Sequence, residues 1–366
     1  MSVPFVLPRN ADPKTTEYKN LMSELEGPHS VKKGFFPYLN AKSMMALRAS
    51  SAFLRDDVNK VYKGSKEIVI KGSLQQWRSA NPNAIYANIK FRRDLTDADF
   101  EYLRGIKWLN MEGCEQISDA AFVHLKGIHT LSMGNCLQIT DAAFVHLQGI
   151  HTLDMMSCRQ ITDGAFVHLK GIHTLNMWDC REITDGAFVH LKGIHTLIMS
   201  YCSQITDAAF VHLKGIHTLM MNDCTQITDN AFVHLKGIHH LDMGDNDEIT
   251  DAAFVHLQGI HTLEMYGCQQ ITDAAFVHLK GIHTLIMYSC DQAGITGQTL
   301  YQLGDKINLL DIEHCNPQTI ENANQVYGVT ERDGVVKFYH PPAINGGRRY
   351  HKTRKAKGRR KTTRRK

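Results

Sequence analysis

A unit of 22 residues recurs along most of this chain, and it constrains the fold more than any other feature of the sequence. Phenylalanine marks the unit by returning every 22 residues, at positions 100, 122, 144, 166, 188, 210, 232, 254 and 276. Nine near-identical units run from Leu95 to Cys290, and a tenth unit with small insertions continues to Cys315. Uninterrupted repeats of about this length predict a solenoid, in which each unit packs only against its neighbours.

Each unit contains the apolar pattern of one short helix and one short strand. In the third unit, Phe144 and Leu147 lie three residues apart behind the hydroxyl of Thr140, which is typical of a capped helix. Gly149 is expected to end that helix in a left-handed conformation, and alternation from Leu153 predicts a strand. Because one unit cannot bury its own apolar face, stacked units are expected to share a core between parallel strands and helices.

Cysteine recurs once in most units. Eight full units carry it at positions 114, 136, 158, 180, 202, 224, 268 and 290, Cys315 continues the series, and Asn246 takes the place in the seventh unit. Cys and Asn both form hydrogen bonds with backbone groups inside a turn, which favours a structural role. The sequence has no C-x-x-C-type pairs, so we expect no metal site and no cofactor. Unpaired thiols also fit a reducing compartment.

Two histidines recur in each unit from His124 to His283, as His146 and His151 do in the third. We expect the first on the outer face of the helix and the second at the start of the strand. Metal binding or proton sensing is an alternative to a structural role. Tandem duplication copies any residue, however, so repetition alone does not indicate chemistry.

The strand segment resembles a leucine-rich repeat. Residues 150–158 read Ile-x-x-Leu-x-Met-x-x-Cys, close to the family pattern L-x-x-L-x-L-x-x-C, and Ile-Thr-Asp follows at 161–163. This is similar to the cysteine-containing subclass found in F-box/leucine-rich-repeat proteins. The resemblance implies an α/β solenoid, a curved horseshoe of 22-residue units with parallel inner strands and outer helices.

The segment from Pro28 to Arg55 resembles the F-box pattern L-P-x-E-(I/V)-x-x-x-I-F-x-Y-L-D-x-K-D-L-x-x-L-R-x-V-S-x-x-(W/L), to which it aligns without a gap. The resemblance implies a small helical domain that docks on a Skp-type adaptor. The apolar residues that would make this contact are Pro28, Val31, Phe35, Phe36, Leu39, Met44, Leu47 and Phe53. Gly27, Ser30, Gly34 and Pro37 depart from the family pattern, and the alternative is a helical cap over the first repeat.

The repeats differ mainly on one face of the expected sheet. We define the strand face as the three x positions of Leu-x-Met-x-x-Cys in each of the nine full units. Seven of these positions carry Asp or Glu, and none carries Lys or Arg. The candidate target-binding residues are Asp154, Trp178, Asp179, Ile198, Tyr201, Met220, Asp223, Asp242, Asp245, Glu264, Tyr266 and Tyr288. Side chains that vary between units on one exposed face, with aromatic residues among them, indicate a surface that recognises a partner. The alternative is neutral drift at solvent-exposed positions.

Charge divides the chain into an acidic body and a basic tail. Residues 346–366 hold 12 of the 41 Lys and Arg, so the remainder has 29 of them against 37 Asp and Glu, a net charge of −8. Such a tail is typical of a nuclear address or of weak, salt-sensitive contact with nucleic acids. The N-terminus has no signal-peptide pattern and no segment approaches the ~20 apolar residues of a membrane span. We therefore expect a soluble protein of the cytoplasm or nucleus, without a membrane partner.

These features predict six segments. They are a flexible N-terminus (1–26), an F-box-like domain (27–60), a linker and N-terminal cap (61–94), the repeats (95–316), a C-terminal cap (317–345) and a disordered basic tail (346–366). No catalytic motif is present, so an adaptor is expected rather than an enzyme.

By family resemblance, the chain is expected to be a non-catalytic substrate receptor of an SCF-type ubiquitin ligase. It would join a Skp-type adaptor, and through it a cullin, to a protein target. The acidic strand face favours an unphosphorylated target segment of basic or mixed charge. The alternatives are a repeat scaffold with no ligase link and a protein that associates with nucleic acids through its tail. Near-identical repeats beside a basic tail also suggest an origin in a large DNA virus.

Overall fold

The computed structural model describes residues 69–327, and in this part the chain is a single row of stacked units. Eleven strands of the described part form one parallel sheet whose spatial order follows the sequence. The strands are β1 (Tyr86–Asn88), β2 (Trp108–Asn110), β3 (Thr130–Ser132), β4 (Thr152–Asp154), β5 (Thr174–Asn176), β6 (Thr196–Ile198), β7 (Thr218–Met220), β8 (His240–Asp242), β9 (Thr262–Glu264), β10 (Thr284–Ile286) and β11 (Leu309–Asp311). Equivalent residues pair, as Leu153 does with Leu175. The predicted parallel solenoid is confirmed.

The short helices on the other side of the sheet are 3-10 helices. They span Asp97–Leu103, Asp119–Leu125, Asp141–His146, Asp163–His168, Asp185–His190, Asp207–His212, Asp229–His234, Asp251–His256, Asp273–Leu279 and Leu300–Leu303. Six residues make two full turns of a 3-10 helix but fewer than two of an α-helix, which suits so short a unit. The Thr140 hydroxyl accepts a hydrogen bond from Ala142 N, and Gly149 adopts φ 79°, as the sequence predicts.

An α-helix lies at each end of the described row. Helix α1 (Leu74–Ala80) starts at Ser73, whose side chain accepts from Gln76 N, and it packs on the first 3-10 helix. Helix α2 (Pro317–Tyr327) packs on the last one. There the Tyr327 hydroxyl donates to the Leu300 carbonyl at 2.7 Å. Both ends of the shared core are therefore covered by helices.

The core is a continuous column of equivalent side chains. All nine repeated phenylalanines, from Phe100 to Phe276, have no exposed surface, and the leucine, methionine and isoleucine of each unit lie beside them. Each unit buries these residues against the next unit, so stability grows with the number of stacked neighbours. The invariance of these positions between repeats follows from that packing.

A second set of contacts ties neighbouring units together through polar side chains. The Asp119 carboxylate accepts one hydrogen bond from the Thr140 amide at 2.9 Å and another from its hydroxyl at 2.6 Å. Equivalent pairs follow in every unit as far as Asp273 and Thr296. Each aspartate is the first residue of its own helix, and its carboxylate holds the cap residue of the following unit in place.

The cysteines form a buried row, as predicted. Each Sγ donates to a backbone carbonyl of an earlier unit, and Cys158 Sγ lies 3.2 Å from Met133 O. Burial raises the pKa of the Cys158 thiol to about 12, so the neutral thiol is the form present. Asn246 replaces this donor by giving its amide hydrogens to the carbonyls of Met221, Met243 and Gly244.

The F-box-like segment 27–60 and the basic tail 346–366 lie outside the described residues. Of the C-terminal cap, only 317–327 is described. Within residues 69–327, no helix has the length and apolar character required to cross a membrane.

Candidate functional site on the strand face

The strand face is built from one residue inside each strand and two residues of the turn after it. Asp154 is in β4, for example, and Met156 and Ser157 follow it. The last of the three positions is left-handed in every full unit, with φ between 53° and 69°. Gly, Asn, Asp or Ser fills it in eight of the nine units, because glycine and short polar residues tolerate this conformation best. The backbone therefore restricts a position that the sequence presents as free to vary.

Tyr201 is the exception at this left-handed position, with φ 64°. Its ring packs edge-on against Trp178 of the preceding unit, with ring centroids 5.1 Å apart. Tyr201 remains 39% exposed, which is high for a large aromatic side chain held in a fixed contact. A bulky residue in an unfavourable backbone conformation is typical of a functional position. Ile198 and Met220 lie on the same face in β6 and β7 and make this central region aromatic and apolar.

Asp179 is buried in an ion-pair cluster. Arg159 Nη2 lies 2.7 Å from Asp179 Oδ2, and Arg181 Nε lies 2.6 Å from Oδ1. Burial alone would raise the pKa of Asp179, but the hydrogen bonds from both arginines hold this pKa below its usual value. Its charge is therefore neutralised within the protein. Both arginines follow a cysteine directly, so they fall outside the strand-face positions that the sequence singled out.

The later units hold acids that no Lys or Arg of the described part pairs with, although Glu264 Oε1 lies 3.2 Å from His240 Nε2. Burial first, and then the neighbouring Glu264, raise the pKa of Asp242. Burial, Asp223 and Asp247 raise the pKa of Asp245 in the same way. Carboxylates that raise one another's pKa favour a bound cation, because its charge relieves their repulsion. The acidic character predicted for the whole strand face is thus concentrated between the sixth and eighth units.

Two tyrosines stack beside these acids. The rings of Tyr266 and Tyr288 are 4.7 Å apart and 12° from parallel. Tyr266 reaches back across Gly244, and its hydroxyl lies 2.5 Å from Asn222 Nδ2. Asn222 Nδ2 also donates to Asp242 Oδ2 at 2.9 Å. The hydrogen bonds among Asn222, Asp242 and Tyr266 join three successive units and fix an aromatic surface next to the buried carboxylate of Asp242.

The earlier units present a smaller polar surface. Asp154 accepts hydrogen bonds from Ser132 Oγ at 3.3 Å and from Asn176 Nδ2 at 3.0 Å. These three side chains occupy equivalent positions in β3, β4 and β5, so the bonds run across the strands. A carboxylate that is already paired in this way offers less to a partner than the acids of the later units.

The predicted target-binding residues all lie on the strand face but differ in access to solvent. Tyr201, Asp245 and Tyr288 are exposed; Asp154, Trp178, Ile198, Met220, Asp223, Glu264 and Tyr266 are half-buried; Asp179 and Asp242 are buried. Arg159, Arg181 and Asn222 were not among the residues predicted from the sequence. The arginines are visible in the sequence as the basic residues that follow two cysteines, whereas nothing in the sequence distinguishes Asn222.

The chemistry of this surface is that of binding. Among residues 69–327, no group of three or more His, Cys, Asp or Glu side chains is placed to hold a metal ion. The face instead combines a central aromatic region, an acidic region and a hydrogen-bonded polar region. Such a mixture of aromatic anchors and polar surroundings is typical of protein interfaces.

Solved structures with leucine-rich repeats are similar to this chain. A chain of the Toll–Spatzle complex from Drosophila has 14% identity over 68% of this chain and 38% of its own length, with a TM-score of 0.49. A chain of the Rad7 and Elc1 complex from yeast has 13% identity over 82% and 94%, with a TM-score of 0.36. A chain of the TLR13–ssRNA13 complex has 18% identity over 63% and 35%, with a TM-score of 0.49. No curated protein sequence matches this one.

The sequence also matches the family model described as the BspA-type leucine-rich-repeat region. Six copies of that model fall on residues 93–195 and 181–294, which together span more than half of the chain. The repeats form a scaffold of the kind that binds proteins. The chain belongs to the BspA-type leucine-rich-repeat family.

Proposed function

We propose that the strand face binds a protein target. The observation that carries this proposal is the contrast between an invariant core and a strand face whose side chains change from unit to unit. Aromatic residues such as Trp178, Tyr201 and Tyr266 are held there by specific contacts. Rigid aromatic side chains are frequent anchors of protein interfaces, since they bury a large area and lose little conformational freedom.

The target segment in this proposal is unphosphorylated and of basic or mixed charge. A phosphorylated segment would meet Asp223, Asp245 and Glu264, which repel it. Arg159 and Arg181, the cations nearest to the centre of the face, already pair with Asp179. A Lys or Arg of the target placed over the later units would relieve the repulsion among the acids, and apolar target residues would meet the central aromatic region.

We further propose that the chain recruits this target to an SCF-type ubiquitin ligase. The support is the gapless resemblance of Pro28–Arg55 to an F-box, on the N-terminal side of the repeats. In this role the F-box-like segment binds a Skp-type adaptor, the adaptor binds a cullin, and the repeats hold the target. The chain itself performs no chemistry; it raises the effective concentration of target lysines near the ligase.

We propose that the protein acts in the cytoplasm or nucleus, with the basic tail as a nuclear address. Weak contact of the tail with nucleic acids is part of the same proposal, because its charge allows sequence-independent binding to phosphates. An origin in a large DNA virus, with action in the host cell, agrees with the near-identical repeats.

Affinity purification of the tagged full chain from cells with the proteasome blocked tests both parts. The first variant combines Phe36→Asp with Leu39→Asp in the F-box-like segment, and the second combines Trp178→Ala with Tyr266→Ala on the strand face. We expect the first variant to lose the Skp-type adaptor and keep the target. We expect the second to lose the target and keep the adaptor, and circular dichroism verifies that its repeats are folded.

Two results separate the alternatives. If the wild-type chain retains a target but no Skp-type adaptor, the ligase role is wrong and the protein is a repeat scaffold without a ligase link. If the strand-face variant retains the same proteins as the wild type, the binding role of the strand face is wrong, whatever the adaptor does.

A further inference from the structure

Eight histidines form a stacked row along one edge of the solenoid, where each chain segment enters its strand. We call this row the histidine ladder; it consists of His129, His151, His173, His195, His217, His239, His261 and His283. Neighbouring rings have centroids 4.1–4.7 Å apart and planes 9–13° from parallel. The structure places these histidines at the start of their strands, as predicted. Their stacking was not predicted, because it results from the parallel register of the strands.

The ladder is fixed in orientation by the threonine that follows most of its members. Nδ1 lies 3.1–3.2 Å from the hydroxyl of that threonine in His129, His151, His173, His195, His217 and His261. Six of the eight residues are exposed and the last two are half-buried. Because Nδ1 is engaged within the chain and the ring faces contact one another, Nε2 is the atom left for a ligand.

The edge that carries the ladder is basic. A lysine precedes the ladder residue by three positions in six units, at Lys126, Lys170, Lys192, Lys214, Lys236 and Lys280, and all six are exposed. A second row of half-buried histidines belongs to the 3-10 helices: His124, His146, His168, His190, His212, His234, His256 and His278. Between the two histidines of a unit the sequence is Leu-Lys-Gly-Ile or Leu-Gln-Gly-Ile, so no acid interrupts this edge.

The charged groups that act on the ladder are themselves mostly imidazoles. Desolvation, and then the adjacent ladder rings, lower the pKa of His173, His217 and His261; His240 adds to the effect on the last two. On the packed elements, Arg104 donates to His124 and Glu264 lies 3.2 Å from His240. Protonation of His173, His217 and His261 therefore requires a lower pH than that of an isolated imidazole, unless a bound anion compensates the added charge.

We infer that the protonated histidine ladder binds the phosphate backbone of single-stranded nucleic acid. Seven steps between rings make a single-file row of donors roughly 30 Å long, which suits a linear anion better than the two-dimensional surface of a bilayer. Every linkage of a nucleic-acid strand carries one negative charge whatever its sequence, so any single strand presents an unbroken row of anions to the ladder. A peptide does so only where acidic residues occupy every second position of an extended segment.

The bases do not take part in this binding, because the ring faces of the ladder are occupied by each other. The contacts run from Nε2–H and from the lysine ammonium groups to phosphate oxygens. Binding is consequently independent of sequence, weakened by salt and accompanied by proton uptake. It is also separate from target binding, since the ladder precedes the strands and the strand face begins within them.

Fluorescence anisotropy of a labelled thymidine homopolymer with the full chain tests this inference. One variant replaces His151, His173, His195 and His217 by Gln, which keeps hydrogen-bonding capacity and removes titration. The matched control replaces His146, His168, His190 and His212 by Gln in the same four units. A third variant places Lys at the four ladder positions. Circular dichroism verifies that each variant is folded.

We expect the wild type to bind at least about tenfold more tightly at about pH 5.5 than at about pH 7.5. The ratio of the affinities at these two pH values should fall below about threefold in the ladder Gln variant. In the control variant this ratio should stay near that of the wild type. The Lys variant should bind well at both pH values. The Lys and Arg of the basic tail do not titrate in this range, and its one histidine, His351, is present in every variant, so the tail cannot account for a difference in this ratio between variants.

Three results would overturn the inference. One is an unchanged pH ratio in the ladder Gln variant, and another is an equal loss in the control, which would indicate general charge rather than the ladder. The third is equal or tighter pH-dependent binding of phosphatidylserine vesicles or of a polyglutamate peptide, which would assign the ladder to a different partner. None of these results affects target binding by the strand face.

Discussion

The phenol ring of Tyr266 lies directly on the backbone of Gly244, in the preceding unit. A Cβ atom built on Gly244 would be 2.4 Å from Cζ of Tyr266. Only a residue without a side chain lets the ring lie flat there, with its hydroxyl on Asn222 and its face on Tyr288. The glycine is therefore part of the strand-face surface even though it contributes no side chain to it.

Substitution of Gly244 by Ala should displace Tyr266 and weaken target binding. The added methyl forces the ring away and breaks its contacts with Asn222 and Tyr288, at a stability cost of about 1–3 kcal/mol. Gly134→Ala is the matched control at the equivalent position, where the new Cβ would be 3.4 Å from the Met156 carbonyl. Thermal unfolding and target retention measure the two effects. Equal behaviour of both variants would contradict the role given to Gly244.

Substitution of Tyr201 by Asn should leave stability nearly unchanged or increase it, while target binding falls. Asn tolerates the left-handed backbone better than Tyr, which removes a strain of roughly 1 kcal/mol. This gain offsets the loss of packing between the Tyr201 ring and Trp178. Urea denaturation gives the free energy of unfolding, and affinity purification gives target retention. A loss of stability by several kcal/mol without any loss of target would show that Tyr201 is a structural residue.

Asp179 should contribute a stability that depends on pH. Its pKa is lowered in the folded protein, so the contribution is present above the unfolded pKa of about 3.9 and is lost as the pH falls through the folded pKa. Asp179→Asn should therefore cost about 1–2 kcal/mol near neutrality and less at about pH 3. Both arginines are more than half exposed, so solvent screening keeps the contribution of these ion pairs to the free energy of unfolding small.

Asp223→Asn is the control for this prediction, because Asp223 occupies the equivalent left-handed position and makes no ion pair among the described residues. Asn tolerates the same backbone, so we expect almost no change in the free energy of unfolding at either pH. A similar pH-dependent loss in both variants would contradict the role of the two arginines.

Asn246 should be less replaceable by Ala than by Cys. Its side chain accepts from Cys224 N at 3.0 Å and donates to three carbonyls, all of them buried. Asn246→Ala leaves these groups without partners and should cost at least about 2 kcal/mol, whereas Asn246→Cys restores the donor that the other units use. Chemical denaturation measures both. Equal costs would show that the hydrogen bonds contribute little.

The sequence was sufficient to predict the solenoid, the capped helices and the buried cysteine row. Their signals repeat every 22 residues, so each unit confirms the pattern of the others. The 3-10 type of the helices was not predicted, because apolar spacing of three residues fits both helix types.

The properties of the strand face were predicted less completely. The pattern located Asp179 there but did not reveal its pairing with Arg159 and Arg181, since contacts across neighbouring units depend on side-chain direction. The left-handed backbone at Tyr201 was also missed, although the Gly, Asn, Asp and Ser at equivalent positions are its signal. The stacking of the histidine ladder required the register of the strands.

Site-specific photo-cross-linking of the full chain in cells tests target binding by the strand face most directly. A photoreactive phenylalanine derivative, which keeps an aromatic ring at the anchor position, replaces Trp178 on the strand face in one version. In the other version it replaces Val189, an exposed residue of the 3-10 helix Asp185–His190. We predict a discrete cross-linked target from position 178 and none of it from position 189. The same target captured equally from both positions, or from position 189 alone, would contradict the account.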